Sequence, residues 1–449
     1  MRTTSALFKL RGSIHPEYFK GLARDKAIAA MPLPARLSVS MAQHLGAPAK
    51  PIVAKGDTVL KGQRIGEAVG FISAHVHAPT SGTVTAVEDG PTVQGTSALR
   101  VVIEPDGRDT PANALPPMPD WKTAGKDAIL QRIADAGIAG MGGAGFPTRV
   151  KLAPPPDKPI DTLILNGAEC EPYLTADHRV MIERAEQIWQ GCEIMRHILG
   201  VKTIRIAIED NKPEAIAAIE KAIAGAEGDV AVCILKTEYP QGAEKQQIFA
   251  TVGREVPSGG LPMDVGCVVE NVGTTYAVWD AVVNGNPLIA RVTTVTGHPV
   301  AEPKNVLARI GTSYADLLAF CGGLSSNAAK IISGGPMMGI AQSNLETTTT
   351  KTTSGLLFLE PSRVQEYASM PCITCGRCVD ACPMDLLPAE LSNRVEAGDY
   401  ESLETLNILD CIECGCCAFV CPAHRPLVQH LKMGKTRVIL KRRQAQTRS

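Results

Sequence analysis

The residues whose types and spacing most clearly specify chemistry are cysteines. They recur as Cys372-x-x-Cys375-x-x-Cys378-x-x-x-Cys382-Pro383 and again as Cys411-x-x-Cys414-x-x-Cys417-x-x-x-Cys421-Pro422. Three thiolates at two-residue spacing let one tight loop wrap three corners of an iron–sulfur cube, and the fourth, ahead of proline, ligates the neighbouring cube. The doubled run predicts two [4Fe–4S] clusters, one on Cys372, Cys375, Cys378 and Cys421, the other on Cys411, Cys414, Cys417 and Cys382. Structural zinc uses pairs of Cys-x-x-Cys across a longer gap and has no use for the third cysteine or the Cys-Pro ending. Disulfides suit short secreted chains, whereas five further cysteines (Cys170, Cys192, Cys233, Cys267, Cys321) are scattered through this long one. Cys416 breaks the symmetry and is expected to be a bystander, either buried or near a cluster.

Two other stretches concentrate polar or bare backbone. Gly140-Met141-Gly142-Gly143-Ala144-Gly145-Phe146-Pro147-Thr148 contains G-x-G-x-x-G, but the dinucleotide fingerprint must follow a strand and open a helix. Here a helical pattern, Lys126 to Ala136, comes first and Pro147 follows at once. What remains is physical: Gly140, Gly142, Gly143 and Gly145 let backbone N–H groups approach a phosphate or a flat ring, or else simply make a tight turn. Asn166-Gly167-Ala168-Glu169-Cys170-Glu171-Pro172 puts an amide, a thiol and two carboxylates at a strand's carboxyl end, where open α/β sheets collect ligands. A solvated acidic loop is the plainer reading. His75 and His77 alternate along a strand and are expected to pack or hydrogen-bond, having no further metal ligand nearby.

The elements that must position these residues suggest several domains in 449 residues. Short apolar runs between glycine and proline turns from Pro51 to Ile103 predict a biotinyl/lipoyl-carrier-like β-sandwich over 1–118. Its modified lysine is missing, because no lysine lies between Lys61 and Arg100 and the hairpin tip falls near Phe71. Over 119–287 strands (Thr162–Leu165, Thr203–Ile208, Val230–Leu235) alternate with helices (Met181–Leu199, Pro213–Ala224), predicting a parallel sheet with crossovers. A small β-grasp domain is expected over 288–345, with Gly334-Gly335-Pro336-Met337-Met338-Gly339 read as a structural spacer, and Thr347 to Ser354 as a polar, weakly structured connector. Helices Pro388–Ala397, Tyr400–Asn407 and Pro426–Lys432 are predicted in a cluster domain over 360–432. The basic tail 433–449, with Lys435, Arg437, Lys441, Arg442, Arg443 and Arg448, is expected to be solvated. The architecture is thus multi-domain, α/β and α+β. A formal net charge of −1 argues against a broad nucleic-acid footprint. No apolar run reaches the roughly eighteen residues of a membrane span, and Met1 to Lys9 has too short an apolar core for a secretory signal.

Gly140 to Lys151, Asn166 to Pro172 and Val268 to Thr274 resemble, in order and spacing, the flavin-binding subunit of respiratory complex I. With the carrier-like domain in front and the doubled cysteine run behind, nearly the whole chain resembles the C-subunit family of Rnf electron transport complexes. That resemblance implies FMN against the backbone at Gly140 and Gly142, near Lys151, Asn166, Glu169, Asn271 and Thr274. It also implies NADH stacked near Phe146 and meeting Glu171 and Glu244. These carboxylates are expected to orient the nicotinamide, since hydride transfer asks for alignment above proton transfer. Met141 stands where complex I has arginine and Ala168 where it has aspartate, so weakly held FMN is expected. A flavin is the cofactor suited to stand between a two-electron nicotinamide and one-electron cubes.

The family further implies a complex that exchanges electrons between NADH/NAD and ferredoxin, coupled to ion movement by other subunits. Its partners would be membrane-embedded subunits and an iron–sulfur subunit, with ferredoxin or flavodoxin reached indirectly, and this chain would be peripheral on the cytoplasmic face of the bacterial inner membrane. Two competing readings are a soluble flavin and iron–sulfur reductase of the same family serving a cofactor such as cobalamin, and a ferredoxin-type relay that has lost nucleotide binding.

Overall fold

The computed structural model describes residues 3–6, 8–364 and 367–446; Met1 and Arg448 lie outside the described residues. Two small antiparallel sheets form the first sandwich. One orders Leu37–Ser40, Ser97–Pro105, Gly82–Pro91 and Thr58–Val59, the other Lys50–Pro51, Arg64–Glu67 and Val76–His77. Alternation sends Val39, Val59, Ile65, Val76, Val84, Val101 and Ile103 inward. Phe71, at the tip where carriers hold their lysine, is 71% exposed.

The expected parallel sheet follows, in the order Thr3–Ser5, Asp229–Leu235, Thr203–Glu209, Thr162–Asn166, Cys267–Asn271. Its register sets Asn166 beside Asn271 at the carboxyl ends of two neighbouring strands. The helix expected over Met181 to Leu199 is instead two, Ala176–Glu183 and Ala185–Leu199. A six-stranded mixed sheet comes next, running Ile340–Gln342, Lys330–Ser333, Gly355–Leu359, Ala290–Thr296, Lys304–Arg309, Ala29–Ala30.

The start of the chain does not belong to the sandwich. Thr3–Ser5 edges the parallel sheet and Ala29–Ala30 edges the mixed one. Strands of three and two residues carry too little periodicity to be read locally.

Two segments differ from expectation for related reasons. Thr347 to Ser354 is not a loose connector: Thr347, Thr348, Thr349, Thr350, Lys351 and Thr353 are buried. Thr348 Oγ1 donates to Ser38 O at 2.8 Å, Thr349 Oγ1 to Arg309 O at 2.9 Å, and Lys351 Nζ to His75 O at 2.6 Å and Gly137 O at 2.7 Å. A polar segment whose donors find acceptors can be buried, and this one joins three domains.

The basic tail is likewise no free end. The last helix runs Leu427–Gln446, with Val438 at 3% exposure and Lys435 Nζ donating to Cys411 O at 2.7 Å. Lys441 and Arg442 pair with Glu401 and Glu404. The helix ahead of it shrinks to Ser402–Thr405, while Pro388–Glu396 forms as expected.

Candidate flavin and cluster site

The glycine loop closes on itself and on the helix that follows the Cys267–Asn271 strand. Gly140 N–H donates to Phe146 O at 2.8 Å, and Met141 N–H to Thr274 Oγ1 at 2.9 Å. Gly142, Gly143 and Ala144 are exposed. Nothing lies within 4 Å of where a Cβ on Gly143 would stand, whereas one on Gly142 would meet Asn271 Nδ2 at 2.9 Å. Asn271 caps the helix Val272–Trp279, its Oδ1 accepting from Gly273 and Thr274 N–H at 2.9 and 3.2 Å, while its Nδ2 donates to Asp177 Oδ2 at 2.6 Å. Gly142, Asn271 and Thr274 therefore share one wall.

Beyond it, Lys151 Nζ meets Glu244 Oε1 at 2.7 Å. Burial alone would lower the Lys151 pKa, but the carboxylates of Glu270 and Glu244 hold it above the usual lysine value. Asn166 Nδ2 donates to Gly242 O at 2.9 Å, and its Oδ1 accepts from Ala168 N–H at 3.1 Å and Gln247 Nε2 at 2.8 Å. A bare backbone loop, a helix start and a cation on one side fit an anionic, planar flavin nucleotide.

The acidic loop divides its carboxylates. Glu169 turns inward and accepts from Asp177 and His178 N–H at 3.0 and 3.2 Å, at the start of the helix Ala176–Glu183. Glu171 turns outward into a cleft of about 660 Å³, bounded by Gly142, Gly143 and Ala144 on one side and Gly334, Gly335 and Met338 on the other. Phe146 is not among the residues lining this cleft. Glu171 accepts from Met337 and Met338 N–H at 3.1 and 2.7 Å, so the Gly334–Gly339 loop, read from sequence as a spacer, grips a site residue. Burial pushes the Glu171 pKa up to about 7, with those two N–H groups and Lys20 pulling the other way.

Sequence reasoning missed two cations. Lys20, buried, donates to the carbonyls of Glu169, Glu171 and Leu174 at 2.6, 2.9 and 2.6 Å; leaving those carbonyls unpaired would cost about 1–3 kcal/mol each. Arg291, also buried, donates to Met141 O at 3.2 Å and Lys351 O at 2.6 Å. Neither lies in a motif, and Lys20 reaches Glu169 and Arg291 reaches Met141 across more than a hundred positions of chain.

The cysteines fall around two cavities. Cys372, Cys375, Cys378 and Cys421 line one cavity, and Cys382, Cys411, Cys414 and Cys417 line another. The two repeats bend alike: Thr374 and Glu413 both take positive φ (54° and 59°), a costly conformation that turns the loop back around a centre. Thr374 N–H lies 3.4 Å from Cys372 Sγ and Glu413 N–H 3.4 Å from Cys411 Sγ. Among the described residues no three His, Cys, Asp or Glu close on a single ion, and four thiols around each cavity suit the corners of a cube.

The inner cavity abuts the flavin-type domain. Tyr239 Oη donates to Cys414 O at 2.7 Å and Gln246 Nε2 to Pro383 O at 2.6 Å. Cys416, fully buried, packs with Tyr239 and Cys170 and lines neither cavity. At the outer cavity Ile373 is 63% exposed.

This fold and these sites define a flavin and iron–sulfur oxidoreductase subunit. Residues 133–280 match the Nuo51 FMN-binding domain, 8–108 the RnfC barrel sandwich hybrid domain, 292–341 the SLBB domain and 371–424 the 4Fe-4S dicluster domain. The chain is 49% identical to the C subunit of the proton-translocating ferredoxin:NAD(+) oxidoreductase complex of Clostridium ljungdahlii, over 96% of this chain and 94% of that one. It is 44% identical to the Na(+)-translocating counterpart of Acetobacterium woodii, over 96% and 98%. With the C subunit of the ion-translocating oxidoreductase complex of Rhodobacter capsulatus the identity is 44%, over 95% and 83%. The chain belongs to this family, the C subunits of ion-translocating ferredoxin:NAD(+) oxidoreductase complexes.

Proposed function

We propose that this chain exchanges electrons with NADH/NAD inside a membrane-associated complex whose other redox partner is ferredoxin, and that other subunits couple the exchange to ion translocation. The observation that carries the reading is the order of the sites. A flavin-type loop and helix start lie in one domain, the inner cysteine cavity abuts that domain through Tyr239 and Gln246, and the outer cavity reaches the surface.

Bound FMN supplies two-electron exchange toward nicotinamide and one-electron exchange toward the cubes. Gly140, Gly142, Gly143 and Gly145 offer it backbone, Lys151 a positive charge, and Asn166, Asn271 and Thr274 a fixed wall; Glu169 acts by shaping its loop. Glu171 and Glu244 orient the dinucleotide, Phe146 acts by shaping the glycine loop through its carbonyl on Gly140 N–H, and the eight cysteines hold the cubes in the two sets given above. No helix among the described residues is long and apolar enough to cross a membrane, and ion conduction falls to other subunits in this reading. The chain would sit peripherally on the cytoplasmic face of the bacterial inner membrane, against membrane-embedded and iron–sulfur subunits, with ferredoxin or flavodoxin reached through them. The barrel-sandwich match over 8–108 favours this role over a soluble reductase of the same family.

Anaerobically purified protein tests it. NADH is expected to bleach the cluster absorbance only after FMN is added. Iron-replete, FMN-loaded protein that NADH leaves unbleached would instead be a relay without nucleotide binding.

A further inference from the structure

The Glu171 carboxylate does not stand free in its cleft. Both oxygens are held from one side, Oε1 by Met338 N–H at 2.7 Å and Oε2 by Met337 N–H at 3.1 Å, and the donors come from the mixed sheet's loop rather than from the flavin-type domain. That loop is shaped around the carboxylate. A Cβ on Gly335 would lie well inside van der Waals contact with Glu171 Oε2, and one on Gly339 would collide with Gly335 O. Gly334, at φ 101°, makes the turn that brings them there.

The same loop touches the inner cluster's ligand run. Met337 O stands 3.2 Å from where a Cβ of Gly415 would be, and Met337 packs with Cys414 and Cys416. It is thus wedged between a carboxylate in the cleft and one of the two cysteine repeats.

We propose that the Gly334–Gly339 loop is a working part of the nicotinamide site, with Gly335 and the Met337 and Met338 amides as positioning groups that fix the direction of the Glu171 carboxylate. This rests on the assignment of Glu171 to nucleotide contact. An ionised carboxylate accepts about four hydrogen bonds. The two amides take one on each oxygen, and the remaining positions serve ribose hydroxyls or the carboxamide N–H of a nicotinamide dinucleotide. Charge-assisted bonds of this kind are about twice as strong as neutral ones, so the loop aims the carboxylate before substrate arrives.

The test is a cycle of Gly335→Ala, Glu171→Gln and the double variant in the intact complex, followed as NADH oxidation with an artificial one-electron acceptor and checked for FMN and iron content. Gly335→Ala is expected to raise KM for NADH about tenfold, the equivalent of one charge-assisted hydrogen bond, with kcat, FMN and iron unchanged. Glu171→Gln is expected to raise KM as well, and the double variant to be no worse than Glu171→Gln alone, because both act through one carboxylate. Independent, multiplicative effects in the double variant, or an unmoved KM in Gly335→Ala beside a raised one in Glu171→Gln, would overturn the loop's role. An unmoved KM in Glu171→Gln overturns the assignment of Glu171 itself. Should Gly335→Ala lose FMN or iron, Met338→Pro, which deletes one donor amide and leaves residue 335 bare, takes its place in the cycle under the same criteria.

Discussion

Glu270 is held where water does not reach. It is 2% exposed, its Oε1 has no partner, and Lys151 and Glu244 are the charges that face it. Burial pushes its pKa from 4.5 to about 7, and burial does the same for Glu171. Between those values both carboxyls keep protons in the folded protein that the unfolded chain has released, so their contribution to stability falls as pH rises from about 4.5 to about 7 and levels off above. Glu270→Gln is expected to flatten that fall by about one proton's worth of slope, read from unfolding midpoints measured between pH 4 and 8. An unchanged slope would mean that Glu270 ionises in the folded protein as easily as in water. In the sequence Glu270 follows two valines and precedes Asn271, and nothing local marks it as the neighbour of Lys151. Its meeting with Lys151 is made only when the strand and the short helix Thr148–Lys151 after the glycine loop pack together.

At the level of elements, the last helix shows how composition misleads. Its basic residues suggest a solvated end, yet Gly434 lies against Ile408, Leu403 and Val395, so closely that a Cβ would press on all three. The absence of a side chain lets the helix approach and carry Lys435 to Cys411 O. Gly434→Val is expected to push the helix outward at a cost of about 1–3 kcal/mol, seen as a lower melting point and loss of iron and acid-labile sulfide on dilution. Iron content and melting equal to the parent would show that the helix does not brace the inner cysteine run. The threonine segment at 347–353 makes the same point, since polarity predicts exposure only where the donors lack buried acceptors.

For the assembled chain, the proposed order of electron movement follows the order of the two cysteine cavities. With the inner one against Tyr239 and Gln246 and the outer one at the surface, Cys421→Ser is expected to damage the outer cluster and leave the inner one reducible by NADH. Cys414→Ser should damage the inner cluster and stop NADH from reducing the outer. Paramagnetic resonance of the NADH-reduced variants checks both, and an outer cluster still reduced at the parental rate in Cys414→Ser would reverse the order. The sandwich and the flavin-type domain also share one continuous core, running from Val39 and Ile103 through Ile138 and Met141 to Leu163, so the carrier-like domain without its lysine is built into the scaffold of the site.

The partition of eight cysteines into two sets, the parallel sheet with its crossovers, and the loops that carry the glycines and carboxylates are all legible before the chain folds. The three-cysteine loops, the strands and helices and the carboxylate-bearing loop are written in spacings of a few residues, where chain geometry limits what a side chain can reach, while the exchange of Cys382 and Cys421 between the runs is read from the doubled motif. Packing had to settle the rest: that Glu169 turns inward, that Lys20 pins the acidic loop, that Arg291 holds the carbonyl of Met141, and that a loop of the mixed sheet grips Glu171. Those contacts, apart from the turn of Glu169, join residues more than a hundred positions apart, and over such separations local pattern places no constraint until the domains have come together.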